Sequence, residues 1–391
     1  MSSIEYHRLA RTGAHRWWRP VAGTAFILAA AVVGMTGLYG GASILASILG
    51  SPEDADGLPT FGPLADLALA FLGIALLLPP ILLAARWIQR RPAGTLSSVT
   101  GRLRWRLLRR CLPVAAVAVV VVLAGGTALG AVTGMDAGFG DAPVAFAAIA
   151  TSMAVLLLVV PLQAAAEEYL TRGWLLQAVG TWFRRPWVPI GVQAVVFAAL
   201  HGWGTPWGFA DLVVFGLVAG WLTVRTGGLE AAIALHVMNN VIGAGLAAYY
   251  GDLSMDETAA DMPWQLAVVD FGVLLAYAWI VVLIVRRQDA PLPSDRDGLD
   301  HDVRRLDRRG GDPAQTGPAQ QGVELGQAAL PAAGGGEHPQ IHQRSDAGGP
   351  VVHDDLGDDH PAARVQGVPA VRQDPQAVLV LPVVQDVLQQ Q

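Results

Sequence analysis

An all-α, polytopic membrane protein with about eight transmembrane helices and a disordered C-terminal tail is the fold class this sequence predicts, on three observations. Residues up to Arg287 fall into apolar runs, each close to the roughly 20 residues that a spanning helix needs. Most of their charge lies in the links between runs, where Arg-rich links alternate with acidic or uncharged ones. Beyond Arg287 the chain turns polar and rich in Gly, Pro, Gln and Asp, without helical or strand periodicity over most of its length. The overall figures of 53% hydrophobic and 15% charged residues average over these unlike parts. The 26 basic residues are all Arg, but no domain is basic throughout, which argues against nucleic acid as a partner. The single Cys, Cys111, permits no intrachain disulfide.

Residues 1–20 form a polar segment carrying Arg8, Arg11, Arg16 and Arg19. The run Val21–Leu49 is too long for the apolar part of a signal peptide and predicts a retained first span. An acidic link with Glu53, Asp54 and Asp56 leads to a second span over Leu64–Ala85, with a kink at Pro79-Pro80 that neighbouring helices accommodate. Arg86–Arg110 is the most basic stretch. Within it, Leu103–Leu112 mixes Arg with Trp and Leu, which fits either a helix lying on the membrane or a plain topogenic link. The third span covers Leu112–Val132. Val144–Gly180 would be about 55 Å long as one helix, against a hydrocarbon core of about 30 Å, so it must tilt, bend near Pro161 or project from the membrane. Arg184 and Arg185 close it. The remaining spans are expected at Trp187–His201, Phe209–Val224, Leu229–Tyr250 and Trp264–Val285. With the Arg-rich ends inside, eight crossings satisfy every link and put both termini in the cytoplasm of a cell-membrane protein. Gly216-x-x-x-Gly220 in the sixth span permits close helix approach. The membrane domain is thus 21–287, surrounded by lipid, and 288–391 is a disordered cytoplasmic tail.

The fourth segment is unusual because Glu167, Glu168 and Arg172 lie inside it. Ionisable groups at membrane depth cost roughly 2.5–3.5 kcal/mol each on insertion scales, so they are kept for a structural ion pair or for chemistry. Later runs carry His201 and His236, with Asn240 one turn after the second. Counting the helix rise from the Arg-rich ends puts Glu167 and His201 each roughly 20 Å deep and His236 roughly 12–15 Å deep. These matched depths predict one buried polar site. Glu168 and Arg172 are spaced to pair along one face, while Glu167 is turned about 100° toward another neighbour. Two adjacent carboxylates at low dielectric do not both ionise cheaply, which suits Glu167 to general-base work. His236 and Asn240 share a face and can donate hydrogen bonds to a developing oxyanion. His201 can orient a water against Glu167. Two His and a Glu also suit zinc by type, although no His-Glu-x-x-His motif is present. No cofactor is favoured; a divalent metal would take Glu167, His201 and His236.

At these residues the chain resembles the type II CAAX prenyl endopeptidases and bacteriocin-processing enzymes, the CPBP or Abi family of intramembrane proteases. The motifs are Glu167-Glu168-Tyr169-Leu170-Thr171-Arg172, Phe197-Ala198-Ala199-Leu200-His201 and His236-Val237-Met238-Asn239-Asn240, in the family's order and in separate apolar segments. The resemblance covers about 144–250. It implies an endopeptidase in which Glu167 activates water with help from His201, His236 and Asn240 stabilise the tetrahedral intermediate, and Glu168 and Arg172 support the site. It implies a peptide or protein substrate without naming one. Two rival readings remain: a non-catalytic membrane scaffold built on a structural polar cluster, and a proton-coupled transporter, for which paired broken helices are lacking.

Overall fold

Apolar runs become helices here, and Gly and Pro decide where they stop. The computed structural model describes residues 5–53, 57–135, 143–253 and 258–289. Among these the α-helices are α1 (Arg19–Leu49), α2 (Pro63–Ala75), α3 (Leu78–Leu83), α4 (Trp105–Thr133), α5 (Phe146–Glu168), α6 (Leu176–Gly180), α7 (Trp187–Ala199), α8 (Pro206–Thr226), α9 (Glu230–Tyr250) and α10 (Trp264–Asp289). No β-strand occurs among the described residues. A π-helical turn, Ala84–Ile88, extends α3, and a π-helical segment, Tyr169–Leu175, joins α5 to α6. The expected disordered tail lies, from residue 290 onward, outside the described residues.

Among the described residues seven stretches are long and apolar enough to cross a membrane: α1, Pro63–Ile88, α4, Phe146–Gly180, α8, α9 and Trp264–Arg287. The expected fifth span departs from the pattern. The α7 helix has 13 residues, about 20 Å, which is short of a hydrocarbon core. It stops because Gly202 and Gly204 adopt positive φ and Pro206 opens the next helix. Among the described residues eight apolar helical stretches are therefore present, one of them short.

Other boundaries moved for local reasons. Leu103–Leu112 is mostly helical rather than a plain link. From Trp105 it forms the first turns of α4, with Leu107, Leu108 and Cys111 buried and Arg106, Arg109 and Arg110 exposed. The break expected at Pro79-Pro80 falls just before them, between α2 and α3. Both prolines then sit in the first turn of α3, where a missing N–H breaks no helix bond. The long fourth segment, Phe146–Gly180, keeps Pro161 within α5. Its departure from α-geometry is the π segment directly after Glu168.

Packing puts α5 against α2 and α9, α9 also against α4, and α10 against α4 and α8. The short α7 lies along α8. Gly216 and Gly220 make that possible: a Cβ on Gly216 would stand 2.7 Å from Ala194 Cα, and one on Gly220 2.5 Å from the Gln193 amide nitrogen. Gln193 fills the seam by donating to the carbonyls of Ile190, 2.9 Å, and Gly216, 2.7 Å. The turn from α8 to α9 uses Gly227 at φ 73° as its left-handed cap. It is pinned by Val99 N–H to Gly227 O, 2.8 Å, and Leu229 N–H to Ser97 O, 2.9 Å. A smaller core gathers Ile27, Ile81, Ala84, Ala85, Leu96 and Trp174, so α1 and α3 hold the π segment from one side. The N-terminal segment reaches the link after α6, where Arg8 donates to Phe183 O, 3.1 Å, and the His7 ring contacts Arg184 O, 3.0 Å.

Candidate active site

Three structural elements bring their polar residues to one place. The end of α5 and the π segment carry Glu167, Glu168 and Arg172; the end of α7 carries Phe197 and His201; α9 carries His236 and Asn240. The α5 helix packs on α9 and the π segment packs on α7, so the three elements converge without long loops.

The inner part of the site is fully enclosed. Glu168 and Arg172 are 0% exposed and form an ion pair of 2.9 Å. The Arg172 guanidinium lies 4.1 Å from the centroid of the Phe197 ring and 5.4 Å from that of Phe215, so aromatic faces meet the cation where water does not. Glu168 Oε1 also accepts from His236 Nδ1 at 2.8 Å. A carboxylate accepts only, so Nδ1 carries the hydrogen and Nε2 points the other way. Phe197 and Phe215 stand edge-on to that imidazole, with centroids 5.8 Å and 5.6 Å away.

The outer part is half open. Glu167 and His201 have side chains 16% and 22% exposed. His201 Nδ1 is 2.8 Å from the carbonyl of Phe197, which can only accept, so its Nε2 is the free ring nitrogen. That Nε2 lies 4.0 Å from Glu167 Oε2, and His236 Nε2 lies 3.5 Å from the same oxygen. Among the described residues Glu167 Oε2 has no hydrogen-bond partner. Two imidazoles thus face one carboxylate oxygen that has no hydrogen-bond partner among the described residues.

Glu167 and Glu168 diverge because adjacent residues of a helix are turned about 100° apart, and both lie in the last turn of α5. Thr171 Oγ1 donates to Glu167 O at 2.7 Å, the usual bond of a helical Thr to the carbonyl one turn back. Glu168 thus faces Arg172, while Glu167 faces His201 and His236. All six residues singled out in the sequence therefore belong to one cluster.

Two further members carry no motif. Gln163, 4% exposed, donates from Nε2 to Glu167 Oε1 at 2.6 Å and accepts at Oε1 from Asn240 Nδ2 at 3.0 Å. Phe215, from α8, closes the aromatic surround of Arg172. Gln163 had a visible signal, an amide one helical turn before Glu167 in an otherwise apolar run. Phe215 had none, since an aromatic in an apolar helix is ordinarily core.

By type, two imidazole nitrogens and a carboxylate oxygen suit zinc. As arranged, no group of three or more His, Cys, Asp or Glu side chains among the described residues could hold a metal ion.

Residues 149–242 match the family model described as type II CAAX prenyl endopeptidase, Rce1-like. That interval contains every residue of the cluster, so the resemblance carried by the three motifs holds there. In Bacillus subtilis (strain 168), the uncharacterized protein YyaK is 27% identical over 208 residues, which cover 51% of this chain and 68% of its own. No solved structure matches. The chain is thus a multi-pass membrane protein by its apolar helices, and its residues 149–242 are similar to the type II CAAX prenyl endopeptidases.

Proposed function

We propose that this protein is an intramembrane endopeptidase that hydrolyses a peptide bond with a water activated by Glu167. The observation that carries the reading is the unpartnered Glu167 Oε2, buried yet facing His201 Nε2 at 4.0 Å and His236 Nε2 at 3.5 Å. A water bridging Glu167 Oε2 and His201 Nε2 donates one hydrogen to each, leaving its lone pairs for the scissile carbonyl. Glu167 takes the proton as the water oxygen bonds to the carbonyl carbon. The resulting oxyanion accepts from Asn240, whose second amide hydrogen is not used on Gln163. It also accepts from His236 Nε2 when both ring nitrogens carry protons, with Glu168 balancing that charge at Nδ1. Glu167 then returns its proton to the leaving amine and the C–N bond breaks.

Glu168 and Arg172 hold the geometry and stay out of the proton transfers. This reading routes no step through a metal. The scaffold reading accounts for the enclosed Glu168–Arg172 pair but gives Glu167 Oε2, set against two imidazoles, nothing to do. The basic links make the cytoplasm the side from which the site is reached, with both termini there and the cell membrane as location. Cysteine-accessibility mapping of the α1 start and α10 end tests that orientation.

The deciding experiment compares membrane proteomes of cells carrying the native chain and Glu167→Gln. A membrane protein accumulates uncut in the variant on this reading. Unchanged processing with intact, folded variant protein would refute it.

A further inference from the structure

The amides around Glu167 form a directed chain. Glu167 Oε1 can only accept, so the atom 2.6 Å away is the Gln163 NH2 group. This turns the Gln163 carbonyl toward α9, where Asn240 Nδ2 donates to it at 3.0 Å. Asn240 Oδ1 in turn accepts from Nδ2 of the exposed Asn239 at 3.3 Å. Each amide is thereby held in one of its two orientations by the next, from Asn239 through Asn240 and Gln163 to Glu167. Gln163 is 4% exposed, so its own two bonds are largely shielded from water.

We propose that Gln163 is a positioning residue: Asn240 sets its amide orientation, and it fixes Glu167 so that Oε1 is occupied and Oε2 is left for the attacking water. Asn240 then has a task besides any contact with the oxyanion, and α9 governs the base on α5. This inference rests on the endopeptidase reading only for its catalytic consequence. The geometry of Glu167 is testable without activity.

The test uses the full-length protein in detergent or vesicles, with thermal melting as the check on folding. Gln163→Met keeps the length of the side chain and removes both hydrogen bonds. Asn240→Asp removes the donor to Gln163 and invites its amide to flip, so that a carbonyl oxygen faces the carboxylate. Asn240→Ala removes the donor without inviting the flip. Two readouts are taken: kcat and KM on a membrane peptide the native protein cuts, and labelling of Glu167 by a hydrophobic carbodiimide, located by peptide mass mapping with Glu167→Gln as blank. Gln163→Met lowers kcat roughly 10²-fold with KM nearly unchanged, as expected for a misplaced reacting group. Its Glu167 labelling rises several-fold, because the N–H stabilising the anion is gone. Asn240→Asp is slower than Asn240→Ala, and adding Gln163→Met to Asn240→Asp costs little more. Unchanged labelling in a folded Gln163→Met protein overturns the proposal whatever the cleavage assay gives. Equal loss in Asn240→Asp and Asn240→Ala, with Gln163→Met fully active, also overturns it. Raised labelling with no cleavage by the native protein leaves the relay standing and removes the endopeptidase reading instead.

Discussion

Two buried Glu–Arg pairs in this protein are built to opposite plans. At the start of α9, Glu230 is saturated: Arg104 donates to it from its backbone N–H at 2.7 Å, from Nε at 3.0 Å and from Nη2 at 2.7 Å. Arg104 Nη1 goes on to Thr226 O at 3.0 Å. In the cluster on α5, Glu168 Oε1 takes one bond from Arg172, from Nη1, and one from His236 Nδ1, and among the described residues Glu168 Oε2 and Arg172 Nε and Nη2 have no hydrogen-bond partner. Aromatic rings and His236 occupy the remaining space. The first pair ties the α4 start to the α9 start across 126 residues of sequence, and nothing about it is left for chemistry. The second is a local pair, under-bonded and attached to an imidazole that faces an open carboxylate. A buried charge with every bond made is a fastening, whereas one with bonds to spare is a place to look for function.

That contrast can be broken or sharpened by measurement. The largest effect belongs to Glu167→Gln, which lowers cleavage about 10²- to 10⁴-fold, the range of a lost general base, with melting nearly unchanged. A matching loss from Glu230→Gln, at unchanged stability, would erase the distinction between the two regions. Arg172→Met strands Glu168 in the interior and destabilises the fold by about 3–5 kcal/mol in denaturant or thermal unfolding. Glu230→Ala should cost less, because Arg104 is 25% exposed and can turn to water. A reversal of that order would mean that the saturated pair, not the site, is the stability centre. Gly216→Ala forces α7 away from α8 and destabilises by about 1–3 kcal/mol, with activity falling alongside because His201 rides on α7. The smallest effect is expected from chelation: cleavage persists in excess chelator, and abolition restored by zinc would move Glu167, His201 and His236 from base and partners to ligands.

Much of the fold was readable in advance, and for a plain reason. Apolar runs of spanning length allow the backbone no partner but itself, so long helices follow from composition. The exceptions show where that rule weakens. The α7 helix read as a span until the turn at Leu200–Thr205 cut it short, and the basic start of α4 read equally as a surface helix or a link because charge obscured its continuity with the apolar run. Glu167, His201 and His236 were visible as expensive groups at similar depth, and Gln163 as a milder one beside them. Phe215 was not, since nothing in an apolar helix marks one aromatic as the cover of a guanidinium in a distant segment.

The amino-acid order by itself determined the helices, their polar intruders and the fact that three of them carry the intruders to a common depth, because hydrophobic length and rise per residue are local properties. Only the tertiary structure decided which oxygen of Glu167 is free, which nitrogen of each His faces it and which way the Gln163 amide points. Those are matters of direction about a helix axis, set by the π segment, the α5–α9 contact and the α7–α8 seam. Rotation about an axis is fixed by what a helix packs against, not by the run of residues along it.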